Sequence, residues 1–160
     1  YEQIMSEQTA YQITSFLEGV VKRGTGKKLK ELKLNLAGKT GTTNENTDAW
    51  FVGFTSDVVI GVYVGMDNPK PLGKFETGSK AALPIFREFV EKAIKKSDAR
   101  PFKVPKKMTL MVIDPLTGEK AKFNSKNTII EAYKSSNVLN GKVLYSDNNR
   151  LDANNILEFY

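Results

Sequence analysis

Ala37-Gly38-Lys39-Thr40-Gly41-Thr42-Thr43, the turn Asn44-Glu45-Asn46-Thr47-Asp48, and the run Ala49-Trp50-Phe51-Val52-Gly53-Phe54 together decide how this chain folds. Residues 37–43 set one lysine among small residues, which suits a strand lying close to a neighbour. Residues 44–48 are turn formers. The run 49–54 and the run Val58-Val59-Ile60-Gly61-Val62-Tyr63-Val64-Gly65 are rich in β-branched and aromatic residues, and Ser56-Asp57 joins them. That pattern predicts a β-hairpin, with Trp50 and Phe51 in its core. Upstream, Leu32, Leu34 and Leu36 alternate with polar residues and extend the first strand toward its start.

Outward from this centre the period changes. Residues 7–23 read as an amphipathic helix: Ala10, Ile13, Leu17 and Val20-Val21 recur at helical spacing, Ser6 can cap it, and Lys22 and Arg23 close it. Gly24-Thr25-Gly26-Lys27-Lys28 then reads as a loop made flexible by its glycines. After a loop from Met66 to Gly78, a second helix is expected from about Ser79 to Lys96, with Pro84 tolerable only near its first turn. Phe86, Phe89-Val90 and Ala93-Ile94 would supply its buried stripe. Asp98 to Lys107, with Pro101 and Pro105, reads as an extended linker. Thr109–Ile113 is a short strand, Pro115-Leu116-Thr117-Gly118 is a turn leading into Lys120–Phe123, and Thr128–Lys134 is expected to form one or two helical turns. The last 25 residues are Asn-rich and weakly patterned, as in a loosely held tail.

Composition closes off several chemistries. The 160 residues contain no Cys and no His. Disulfides, thiol catalysis, Cys-based zinc sites and Ser-His-Asp triads are excluded, along with most transition-metal sites. Acyl transfer or hydrolysis would need a lysine or carboxylate as base. No apolar run approaches the roughly 18 residues that span a bilayer. Tyr1-Glu2-Gln3-Ile4-Met5 lacks the basic start and apolar stretch of a signal peptide. The first residue is not Met, so the chain is expected to begin inside a longer product. The net charge of +6 is spread along the chain without a nucleic-acid module signature, which ranks nucleic-acid binding last among the readings considered.

Lys39-Thr40-Gly41-Thr42 is the segment that carries chemistry. On a strand, residues 39 and 41 face one way and residues 40 and 42 the other. At an edge beside a groove, this sets an ammonium near a nucleophile and hydroxyls near a carboxylate. Gly41 leaves room for a planar amide to approach the backbone, and the Thr42 N–H is placed for a developing oxyanion. Lys-Thr-Gly is also one of three sequence elements of serine acyl-transfer enzymes that act on penicillins.

Its surroundings match in order and spacing. The segment Glu7-Gln8-Thr9-Ala10-Tyr11 through Gly19-Val20-Val21, then Arg23-Gly24-Thr25-Gly26, Ala37–Asn44, Asp48–Phe54 and Gly61–Gly65, closely resembles the class A penicillin-binding proteins. Ala82-Leu83-Pro84-Ile85-Phe86 and Ile113-Asp114-Pro115-Leu116-Thr117-Gly118 resemble the same family, so the likeness covers roughly residues 5–134. The resemblance implies an α+β fold, a partial penicillin-binding (β-lactamase-like) transpeptidase domain lacking its N-terminal part. Residues 1–97 would be the C-terminal portion of that domain, 98–107 a linker and 108–160 a C-terminal extension. It implies a peptidoglycan synthase that cross-links D-Ala-D-Ala stem peptides through a serine acyl-enzyme and is acylated there by β-lactams. Lys39 would supply positive charge beside the serine. Thr40 and Thr42 would hold the substrate carboxylate, Gly41 would admit the scissile amide, and the Thr42 amide would complete the oxyanion hole.

The departure is as informative as the likeness. The family's nucleophile lies in a Ser-x-x-Lys element and its second element is Ser-x-Asn, both before Lys-Thr-Gly. No Ser of this chain is followed three positions later by Lys. Ser135-Ser136-Asn137 and Ser146-Asp147-Asn148 match the second pattern but follow residue 41, and read as coincidences. The chain is therefore expected to hold one wall of a site and to be inactive alone. Expected partners are stem peptides, β-lactams, the upstream part of the same protein and other copies of the fragment, with no metal, cofactor or nucleic acid. The parent would sit on the periplasmic side of the envelope, held to the inner membrane only through that upstream part. A non-catalytic module that binds stem peptides in the same groove is the alternative. Two further motifs fail: position 33 is Lys where a phosphate loop needs Gly, and Ala49 and Thr55 stand where a calcium loop needs Gly and Glu.

Overall fold

The computed structural model describes residues 2–139, 142 and 143. The chain divides into two compact units, Tyr1–Ser15 with Lys103–Tyr160, and Phe16–Phe102.

Helix α1 spans Glu7–Arg23, with Glu7 in its first turn and Lys22 and Arg23 in its last. The Ser6 hydroxyl accepts the Thr9 N–H at 3.3 Å, as an N-cap should. Both the Gly24 and the Gly26 N–H return to the Val20 carbonyl, at 3.0 and 3.1 Å. A 3-10 turn, Lys27–Leu32, then buries Leu29. The leucine alternation misled here, because the first strand begins only at Ala37. Lys33 closes the turn in the left-handed region with φ 54°, and this reversal breaks the register that Leu32, Leu34 and Leu36 suggested. Leu32 and Leu34 still pack against the core, Leu32 from the end of the 3-10 turn and Leu34 from the irregular chain after it.

Strands β1 (Ala37–Thr42), β2 (Ala49–Phe54) and β3 (Val59–Val64) form an antiparallel sheet in that order, with β1 at one edge. The pairs Thr40↔Phe51 and Phe51↔Val62 put these residues on one face, and Gly41↔Trp50 and Trp50↔Tyr63 put those on the other. Trp50 is therefore not in the core. It is 42% exposed while Phe51 is fully buried, since neighbours on a strand point to opposite faces.

A wide turn, Gly78–Ala82, leads into helix α2, Leu83–Ala93, with Pro84 in the first turn as its missing N–H requires. The helix ends before the expected Lys96, because Ile94 leaves helical backbone (φ −101°, ψ 119°) and turns its side chain onto the core. Its buried residues are Leu83, Phe86 and Val90, and the expected stripe members Phe89 and Ala93 are exposed. Phe86 meets Phe51 edge-on at 4.6 Å between ring centroids. A Cβ on Gly53 would lie 2.6 Å from the Phe86 ring, so the strand needs glycine there to seat the helix. Residues 100–105 have no regular structure. Nearby, Asn35 donates to the Ala99 carbonyl at 2.9 Å.

In the other unit, β4 (Met108–Ile113) pairs antiparallel with β5 (Ile129–Lys134) over six residues. The helical turns expected at 128–134 are thus a strand. Two consecutive β-branched residues, Ile129 and Ile130, favour extended backbone, and pairing satisfies the β4 ladder. The Gln12 amide donates to the Ala132 carbonyl at 3.1 Å and the Gln8 amide to that of Lys106 at 3.0 Å. Strands β6 (Val138–Leu139) and β7 (Lys142–Val143) make a short hairpin. Most of the expected loose tail, including Ser146-Asp147-Asn148, lies outside the described residues.

Candidate active site

Residues 39–42 occupy the edge strand β1, with β2 as their paired neighbour. The Thr43 N–H bonds the Asp48 carbonyl at 3.2 Å, and pairing alternates along an antiparallel ladder. Lys39 and Gly41 therefore turn their N–H and C=O groups toward β2, while Thr40 and Thr42 turn theirs toward the open edge. Lys39 confirms this alternation: its ammonium donates to the Thr40 carbonyl at 2.9 Å, with the Thr40 hydroxyl 3.5 Å away. The open edge thus carries an ammonium, a backbone N–H at Thr42 and two threonine hydroxyls.

Both hydroxyls are held from outside the strand. Thr40 Oγ1 lies 3.0 Å from Thr25 Oγ1. Thr42 Oγ1 accepts the Gly78 N–H at 3.0 Å. Gly78 lies flat against the ladder at the Gly41–Trp50 pair, where a Cβ would fall 2.4 Å from the Trp50 carbonyl oxygen and 2.6 Å from that of Gly41. Sequence reasoning found the strand but missed Thr25 and Gly78. The signal was present as glycines flanking Thr25, and these were read as flexibility.

The face beside this edge carries Lys39, Gly41, Trp50, Val52, Gly61 and Tyr63. Trp50, Val52 and Tyr63 are 42%, 44% and 50% exposed. Trp50 and Tyr63 touch at 4.7 Å between centroids. The Tyr63 hydroxyl donates to Asp48 Oδ1 at 2.7 Å, and Thr47 donates to Oδ2 at 3.0 Å. That bond pushes the Tyr63 phenol above its ordinary 10.0, with desolvation and the charges of Asp48 and Asp67 adding to it. Asp48 is thereby committed to the turn. Among the described residues no group of three or more Asp, Glu, His or Cys could hold a metal ion.

Elsewhere, Lys22, Lys27, Lys28, Lys30 and Glu31 line a shallow depression of about 480 Å³, so part of the positive charge is more gathered than the sequence suggests. A third Ser-x-Asn, Ser125-Lys126-Asn127, escaped the sequence reading. Its hydroxyl accepts the Lys122 N–H at 3.1 Å, a turn-stabilising bond. No helix among the described residues is long and apolar enough to cross a membrane.

An α+β unit whose edge strand presents Lys39, Thr40 and Gly41 in this order narrows the class of protein to which the chain can belong. Comparison with known proteins identifies it. Residues 1–91 match the family model of the penicillin-binding protein transpeptidase domain, and the chain belongs to that family. Penicillin-binding protein 1A of Rickettsia conorii is 49% identical over 135 residues, covering 84% of this chain and 17% of the relative. The protein of that name from Pseudomonas aeruginosa is 42% identical, covering 84% and 16%. The crystal structure of penicillin-binding protein 1A from Haemophilus influenzae superimposes with a TM-score of 0.72 at 28% identity, covering 82% of this chain and 21% of that one. The chain thus spans about a sixth of the length of the curated relatives it matches.

Proposed function

We propose that this chain supplies the Lys-Thr-Gly wall of a peptidoglycan transpeptidase that cross-links D-Ala-D-Ala stem peptides through a serine acyl-enzyme and is blocked there by β-lactams. The observation that carries the reading is the edge of β1, where the Lys39 ammonium, the Thr42 N–H and the Thr40 and Thr42 hydroxyls are gathered within one short segment. In this reading the Lys39 ammonium lowers the cost of forming an alkoxide on a serine brought from outside the chain. The two hydroxyls bind the C-terminal carboxylate of the stem peptide or the carboxylate of a penicillin. Gly41 admits the scissile amide, and the Thr42 N–H donates to the oxyanion as it forms. Attack on the penultimate D-alanine carbonyl releases D-alanine, and an amine of a neighbouring stem then takes the acyl group.

The 160 residues contain no Ser-x-x-Lys, so the chain alone forms no acyl-enzyme. Residues 1–97 are proposed as the end of the transpeptidase domain, 98–107 as a linker and 108–160 as an extension. The exposed face of Trp50, Val52 and Tyr63 is proposed to be covered by the upstream part of the same protein, or by a second copy of the chain when that part is missing. The parent is placed on the periplasmic side of the envelope, anchored through its upstream part.

The test is the intact mass of the chain before and after excess benzylpenicillin. An unchanged mass is expected, with labelling restored when the upstream transpeptidase segment is supplied. A stoichiometric, denaturation-resistant adduct on the chain alone would mean that one of its own serines is activated, and would overturn the predicted inactivity.

A further inference from the structure

The loop Gly24-Thr25-Gly26 is wound tightly against the end of α1. Both glycine N–H groups bond the Val20 carbonyl, and the Lys27 N–H returns to the Gly24 carbonyl at 3.1 Å. A Cβ on Gly24 would stand 2.9 Å from Val20 Cα, and one on Gly26 would stand 3.3 Å from the Val20 carbonyl oxygen. A side chain at Gly24 would push the loop off the helix, and one at Gly26 would crowd the Val20 carbonyl. Thr25, at the apex between them, is thereby held where its hydroxyl meets that of Thr40 at 3.0 Å.

We propose that Thr25 is a positioning residue of the site: its hydroxyl turns the Thr40 hydroxyl outward as a donor to a ligand carboxylate. The proposal rests on the carboxylate-binding reading above. A hydroxyl has one proton and two lone pairs. The Lys39 ammonium can only donate, and it lies 3.5 Å from Thr40 Oγ1. When Thr25 donates as well, both lone pairs of Thr40 are engaged and its proton is left for the open edge. Thr42 is arranged alike, with the Gly78 N–H on one lone pair. The edge then presents protons rather than lone pairs, the complement of a carboxylate and a poor match for a neutral carboxamide. Without the Thr25 hydroxyl, Thr40 is free to rotate and to offer a lone pair instead.

The experiment uses the isotope-labelled 160-residue chain and two probes, N-acetyl-D-alanyl-D-alanine and its C-terminal carboxamide. Amide shifts at residues 40–42 are followed by NMR titration in the wild type, Thr25→Val and Thr25→Ser. The acid is expected to bind the wild type more tightly than the carboxamide does. Thr25→Val is expected to weaken the acid about five- to tenfold, the scale of one hydrogen bond that serves a charged group. It should leave the carboxamide unchanged, and Thr25→Ser should restore acid binding. Wild-type affinity for the acid in Thr25→Val would overturn the role of Thr25 and leave the carboxylate site standing. Equal loss of both probes without rescue by serine would also overturn it, as the mark of a merely structural residue. A wild type that does not distinguish the probes, or binds neither, would bring down the carboxylate site and the proposal with it.

Discussion

Trp50 and Phe51 are adjacent in β2 and equally apolar, yet they belong to different environments. Phe51 is fully buried against Phe86, with Ala49 and Gly53 beside it on the same face. Trp50 is 42% exposed, on a face shared with Lys39, Val52, Gly61 and Tyr63. One sheet thus has a face packed under α2 and a face that keeps β-propensity and aromatic content, on which Phe102 packs at Phe54 while Trp50, Val52 and Tyr63 stay exposed. An antiparallel sheet commonly has one wet face, but that face is then polar. Here it is apolar and lies beside the Lys39 edge. The packing that stabilises the sheet is thus gathered on one face, while the proposed chemistry sits at its edge, with Lys39 on the open face and the Thr40 and Thr42 side chains on the packed one.

The comparison is tested most severely by truncation on each face. Phe86→Ala should cost about 3–5 kcal/mol, because it empties the centre of the core. Trp50→Ala should cost about 1 kcal/mol, chiefly its contact with the Tyr63 ring. Urea titrations of both variants decide the matter, and equal losses would mean that the Trp50 face is covered in solution, by a second copy of the chain or otherwise.

Glycines give the next largest contrast. A Cβ at Gly53 would meet the Phe86 ring at 2.6 Å and the Phe51 ring at 2.8 Å, whereas one at Gly61 meets nothing within 4 Å. Gly53→Ala should destabilise by about 1–3 kcal/mol through overpacking. Gly61→Ala should be neutral, or stabilise by about 0.4–1 kcal/mol through reduced freedom of the unfolded chain. Thermal unfolding of the two variants checks this, and a destabilising Gly61→Ala would break the claim that this face is open.

How much of this was legible follows from which forces act locally. The hairpin, α1 and its Ser6 cap, and the facing of residues 39–42 all follow from side-chain period and short-range hydrogen bonding, and all appear as expected. Trp50 was misplaced because propensity marks a residue as fit for a strand without saying which face is covered. The strand at 129–134 was missed because its partner lies in β4, well back along the chain, and pairing at such separation leaves little local trace. Thr25 and Gly78 escaped for a related reason. Each reaches the site across intervening chain, to Thr40 and to Thr42, and a glycine required for close approach looks like one required for a turn.

The smallest expected effect probes the open face alone. The Tyr63 phenol is raised above 10.0, first by donating to Asp48, then by desolvation and by the charges of Asp48 and Asp67. Its folded value lies above its unfolded one, so the stabilisation it contributes is complete below about pH 10 and fades as pH rises through the raised value. Ultraviolet titration of tyrosinate, compared with Tyr63→Phe, should show one phenol ionising late. Asp48→Asn should return that phenol toward 10.0 and leave the other tyrosines unmoved. Because both groups are open to solvent, screening keeps the shift modest, and added salt should reduce its charge-dependent part. Covering the face should do the opposite, as lost hydration raises the phenol further. If supplying the upstream segment leaves Tyr63 titrating as before, whatever that segment covers is not this face.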